Sequence, residues 1–97
     1  MRVEKTAEYR AWIDGLKDQA GRARALMRVD RLIHGNPGVY RNLTEGVAEI
    51  KIDVGPGYRV YYCRRGDRLL LLLAGGDKST QAKDFAKALE LNRNFVE

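Results

Sequence analysis

The sequence has one cysteine, Cys63, and one histidine, His34, among 97 residues. A lone cysteine cannot close an internal disulfide, which excludes a stapled secreted mini-protein. The same scarcity excludes a zinc site built from several Cys and His ligands, and a His–His acid–base pair. Long hydrophobic runs are missing too. The longest, Leu69–Ala74, has six residues, against the roughly 20 a membrane helix needs. No apolar stretch follows the N-terminus, so no secretory leader is expected, and a reducing cytoplasm is the expected location. No GxxxxGK[ST] or GxGxxG string occurs, so nucleotide-cofactor loops have no support and no cofactor is expected. Catalysis, if any, must rest on Arg, Lys, Glu, Asp or Tyr.

Positive charge is what the chain has in excess. It carries 18 Lys+Arg and 13 Asp+Glu, for a net charge of +5. The surplus is concentrated: residues 22–41 hold five basic groups and one acidic group. Within it, Arg24, Arg28 and Arg31 fall in an arc of about 60° if the segment is helical. That stripe reads either as a solvated helix face or as a surface for a phosphate backbone or an acidic partner. The length suits one domain, residues 1–97.

Arg2 to Lys5 suits a short edge strand. Thr6 can cap a helix from Ala7 to about Leu16, with Tyr9, Trp12, Ile13 and Leu16 as its apolar stripe. A second helix is predicted from about Ala20 to His34, with Ala23, Leu26, Val29 and Ile33 inward, stopped at Gly35-Asn36-Pro37-Gly38. The period then changes from 3.6 to 2. Val39–Leu43, Val47–Val54, Tyr58–Cys63 and Leu69–Ala74 read as strands separated by turn residues. The all-apolar Leu69–Ala74 should be a central strand covered on both faces. A last helix, capped by Ser79 or Thr80, turns Ala82, Phe85, Ala86 and Leu89 inward. The expected fold is α+β, in the order β-α-α-β-β-β-β-α, with a mostly antiparallel sheet.

Three elements place charge near that sheet without an obvious structural need. Glu49 and Lys51 share the polar face of one strand. Arg59 lies in the next strand and can face them if the register allows. Lys78 follows the leucine strand, just before a helix N-terminus, where phosphate is favoured. Such residues suit phosphodiester chemistry without a metal. Glu49 can accept a proton from a ribose 2′-hydroxyl, while Arg59 and Lys78 stabilise charge on the phosphate. The plainer reading is a cross-strand ion pair of Arg59 with Glu49 or Asp53. Tyr61 or Tyr62 can stack on a base, the other filling the core.

The string from Gly46 to Lys83, above all AEIKI, GPGYRVYY, the leucine run and GGDKSTQ, resembles the RelE/ParE superfamily of toxins from type II toxin–antitoxin modules. The likeness is to its HigB-like branch of addiction module killer proteins, to which GNPGVYRNLTEGV is also similar. The resemblance implies a toxin neutralised by a small antitoxin, often a helix-turn-helix DNA-binding protein. In RelE-like members the toxin enters the ribosomal A site and cuts mRNA. Carried over, Glu49 and Lys51 match the groups on the strand before GYR, Arg59 matches its Arg, and Lys78 matches the later basic residue. The Tyr or His of the final helix is absent, with Lys83, Asp84 and Phe85 in that stretch. Asp84 can then serve as proton donor only if its pKa is raised, and Lys83 is a candidate RNA contact. The implied activity is a ribosome-dependent mRNA endonuclease. The alternatives are a ParE-like toxin that binds DNA gyrase without catalysis, and an antitoxin-binding module that has lost toxicity.

Overall fold

Thr6 links the first strand to the first helix. Its N–H donates to Leu72 O at 3.1 Å, ending a parallel strand pairing. Its Oγ1 accepts from Tyr9 N at 3.0 Å, capping the helix as expected. In the computed structural model, which describes residues 1–97, the elements are β1 (Arg2–Lys5), α1 (Ala7–Gly15), α2 (Gln19–Ile33), β2 (Tyr40–Asn42), β3 (Val47–Ile52), β4 (Tyr58–Arg65), β5 (Leu69–Asp77) and α3 (Gln81–Asn94). A 3-10 turn, Lys78–Thr80, precedes α3. This is the expected α+β order. No helix is long and apolar enough to cross a membrane.

The five strands form one sheet in the order β1-β5-β4-β3-β2. Only β1–β5 is parallel; the other three pairings are antiparallel. β1 is indeed an edge strand. β5 is interior and its five leucines are buried, because helices cover both faces of the sheet, although β4 and not β5 occupies the middle. One face carries Ala48, Ile50, Ile52, Tyr58, Val60, Tyr62, Leu70 and Leu72, packed with Tyr9 and Ile13 of α1 and Ala25, Val29 and Leu32 of α2. The other carries Val47, Tyr61, Cys63, Leu69, Leu71 and Leu73 under Ala88, Phe85 and Leu89 of α3.

Two helix faces differ from expectation. In α2 the buried residues are Gly21, Ala25, Val29 and Leu32, whereas Ala23 is exposed and Leu26 is 41% exposed. The physical reason is at Gly21, where α2 meets β4: a Cβ there would lie 2.4 Å from the Tyr58 ring. That approach fixes the helix rotation and turns Leu26 outward. In α3, Phe85 and Leu89 pack inward as expected, but Ala82 and Ala86 are exposed and Ala88 and Asn92 are the buried positions. Neither Ser79 nor Thr80 caps α3 through its side chain; Asp77 instead caps the 3-10 turn, accepting from Ser79 N at 2.8 Å. The end of α2 follows its glycine and asparagine signals. Gly35, at φ 92, and Asn36 donate back to Leu32 O and Arg31 O, a Schellman arrangement.

Candidate functional site

Strand alternation puts Glu49 and Lys51 of β3 and Arg59 and Tyr61 of β4 on the face that α3 packs against. The register pairs Lys51 with Arg59 and Glu49 with Tyr61. α3 crosses this face from Gly76, over which Asp84 sits, to Glu45, which Asn92 and Arg93 bond, and the charged residues lie beside its N-terminal end.

Glu49 and Arg59 are 5% and 6% exposed. Their nearest approach is Arg59 Nε to Glu49 Oε2, at 3.9 Å, and neither atom makes a hydrogen bond. Arg59 is anchored through Nη1, which donates to Gly57 O at 3.2 Å. Glu49 is held through Oε1, which Arg41 Nη2 approaches at 2.9 Å. Arg41 stands opposite Glu49 in the β2–β3 register. Burying charge is costly unless each group is paired, and buried unpartnered polar atoms are rare in folded proteins. Here the fold holds a carboxylate oxygen and a guanidinium N–H close together and unbonded.

Around this pair the surface forms a continuous groove. Its middle, about 550 Å³, is lined by Arg41, Glu49, Lys51, Arg59, Lys78 and Gln81, with Val39 and Tyr40 at the rim. It runs one way past the Gly55-Pro56-Gly57 turn and the other way to Leu43, Ala82 and Phe85. Lys78 lines all three parts. Four cations and one carboxylate suit an anion, and Arg offers a phosphate paired donors.

The structure thus brings Glu49, Lys51, Arg59 and Lys78 together. It leaves the other expected residues elsewhere. Tyr61 is 1% exposed, with Phe85 stacked against it at 6.3 Å between ring centroids and its hydroxyl donating to Gln81 O at 3.4 Å. Burial, then the charges of Glu49 and Asp84, push its phenol up to about 12. A ring enclosed in this way has no free face for a base. Asp84 does not line the groove: its carboxylate sits over Gly76, the cross-strand partner of Arg59, and its Oδ2 accepts from Thr80 Oγ1 at 2.5 Å. Lys83 is exposed on α3 outside the groove. Arg24 and Arg31 are exposed on α2, but Arg28 between them is committed to the fold. It donates to Lys51 O at 2.7 Å and to Pro37 O and Val39 O at 3.0 Å. The arginine stripe therefore has two free members. Arg28 instead ties α2 to the rim of the groove.

Sequence reasoning missed Arg41 and Gln81. Arg41 was legible in principle: once Thr44-Glu45-Gly46 is a tight turn, pairing back along the hairpin sets Arg41 opposite Glu49. Gln81 gave no signal, because its place depends on how the 3-10 turn delivers α3.

A family model described as phage-derived protein Gp49-like (DUF891) matches residues 11–93. The matched span includes every groove residue. An uncharacterized protein of Haemophilus influenzae is 39% identical over 88 residues, which cover 91% of this chain and 89% of the relative. With both the span and the identity this extensive, the chain belongs to the phage-derived Gp49-like family, which is associated with the toxins of toxin–antitoxin modules.

Proposed function

We propose that this protein is the toxin of a type II module, of the HigB-like kind within the RelE/ParE superfamily, and that it cleaves mRNA on the ribosome. The observation that carries this reading is the buried, unbonded Glu49–Arg59 pair in a groove of four cations. With RNA in the groove, the substrate phosphate draws Arg41 and Arg59 off Glu49, and the carboxylate so released accepts the proton of a 2′-hydroxyl. The 2′-oxygen attacks the adjacent phosphorus and the bond to the 5′-oxygen breaks, leaving a cyclic phosphate and a 5′-hydroxyl. Arg59 and Lys78 stabilise the charge that builds on the phosphate. Neither Asp84 nor Tyr61 lines the groove, whereas Lys51 and Lys78 do, so the ammonium of Lys51 or Lys78 is the proton source offered to the leaving oxygen. The family association implies a cognate antitoxin, and a small helix-turn-helix protein is the partner proposed.

Induction in cells tests this reading. Growth arrest with cut transcripts is expected from the unaltered chain and not from Glu49→Ala or Arg59→Ala. Intact transcripts with damaged DNA would instead favour gyrase as the target. Tight antitoxin binding without growth arrest would mark a module that has lost toxicity.

A further inference from the structure

We infer that the apolar end of the groove is a nucleobase subsite and that Gln81 determines which base it takes; this rests on the RNA reading above. Leu43, Ala82 and Phe85 line a depression of about 490 Å³, within the roughly 300–1,000 Å³ of small-ligand sites. Arg41, Glu49, Lys78 and Gln81 line both this depression and the cationic middle of the groove. A strand whose phosphate lies among the cations therefore has an apolar recess beside it. A nucleobase matches such a recess, because its faces are apolar and its edges carry donors and acceptors.

The polar groups at the recess differ in what they have left to offer. Ser79 Oγ donates to Asp77 Oδ1 at 2.5 Å, and Arg41 is held by Glu49. Lys78 is a donor only. Gln81 is anchored through its main-chain carbonyl, which accepts from Tyr61 at 3.4 Å, while its side-chain amide makes no hydrogen bond within the chain. A planar amide presents one donor face and one acceptor, the pattern needed to pair with the edge of a base. Phe85, braced on Tyr61, keeps the wall beside it in place. The cations at the mouth favour a nucleic acid over a neutral apolar segment.

The test uses the full chain and ribosomes programmed with messages that differ in one base beside the cut. A second panel carries a 2′-deoxy nucleotide at the cut and reads binding without cleavage. The unaltered protein should prefer one base at one flanking position by about tenfold, the scale of a bidentate base contact. Gln81→Ala should reduce that preference to about twofold, with the larger loss of cleavage on the favoured message. Ala82→Leu, which fills the recess from an exposed position, should raise KM more than it lowers kcat. If no ribose message is cut, the nuclease reading fails, and the deoxy panel still decides the subsite. The inference is overturned if neither panel shows a base preference, or if Gln81→Ala preserves it. It is also overturned if Ala82→Leu abolishes antitoxin binding and leaves both panels unchanged, since the recess then takes a protein segment.

Discussion

Arg59 Nε lies 3.9 Å from Glu49 Oε2, and neither atom is hydrogen-bonded although both side chains are buried. A buried pair of this kind does little for stability, since desolvation offsets much of the attraction. The rest of the fold supports it: the hydrogen bond from Arg59 to Gly57 O, and Arg41 on the far carboxylate oxygen. Both atoms are closed to solvent beneath the groove, so a ligand that draws either arginine onto itself leaves the Glu49 carboxylate to be used.

Arg28 should behave as an internal clasp. Arg28→Ala removes three hydrogen bonds from a charged donor to Pro37, Val39 and Lys51 carbonyls. Because two of these bonds are exposed, the expected loss is about 1–3 kcal/mol. Urea unfolding reads it. An unchanged midpoint would show that the clasp contributes nothing.

Arg24 and Arg31, in contrast, are exposed. Reversing both to Glu should change stability by less than about 0.5 kcal/mol. It should weaken binding either to ribosomes or to the antitoxin. A ribosomal role would show as steep salt dependence, because displaced counterions make such binding fall with ionic strength. If both bindings are unchanged, these arginines are simply solvated.

Trp12 packs over Gly75 so closely that a Cβ there would lie 2.1 Å from the indole ring. Gly75→Ala should cost about 1–3 kcal/mol as an overpacked contact. Combining it with Trp12→Leu should cost less than the sum of the single changes, because the two sites share one contact. Additive losses in thermal melts would place the strain elsewhere.

The buried tyrosines set an alkaline limit. Burial, with Asp14 as a lesser cause for Tyr9, raises Tyr9 to about 12, and burial with Glu49 and Asp84 does the same for Tyr61. A group whose pKa is raised on folding stabilises the fold while protonated. That contribution is complete below the ordinary 10.0 and is lost as pH rises toward about 12. Tyrosinate absorbance and circular dichroism should therefore change together in that window. Ionisation of all five tyrosines near 10.0 with the fold intact would contradict this.

Most of the architecture was legible because local signals agreed. Thr6 marked one helix start, Gly35-Asn36 marked a helix end, and the change of period at Val39 marked the sheet. Helix rotation was less legible. Leu26 looked inward by spacing, yet the contact of Gly21 with Tyr58, 37 residues away in sequence, decided the buried face of α2. At the site, Glu49, Lys51, Arg59 and Lys78 followed from strand alternation and sequence order. The roles of Arg28 and Tyr61 did not, since whether an arginine or a phenol is free depends on tertiary partners. Arg28 has three carbonyls, and Tyr61 has Phe85 above it.

The most direct test compares the unaltered chain with Glu49→Gln on programmed ribosomes, reading message cleavage and ribosome binding together. Glu49→Gln keeps the shape of the side chain and removes its ability to accept the 2′-hydroxyl proton. Cleavage should fall by about 10²–10⁴-fold, with ribosome binding unchanged and the variant still folded. Cleavage by Glu49→Gln at the unaltered rate would contradict the proposed role of Glu49, and no cleavage by the unaltered chain would contradict the nuclease itself.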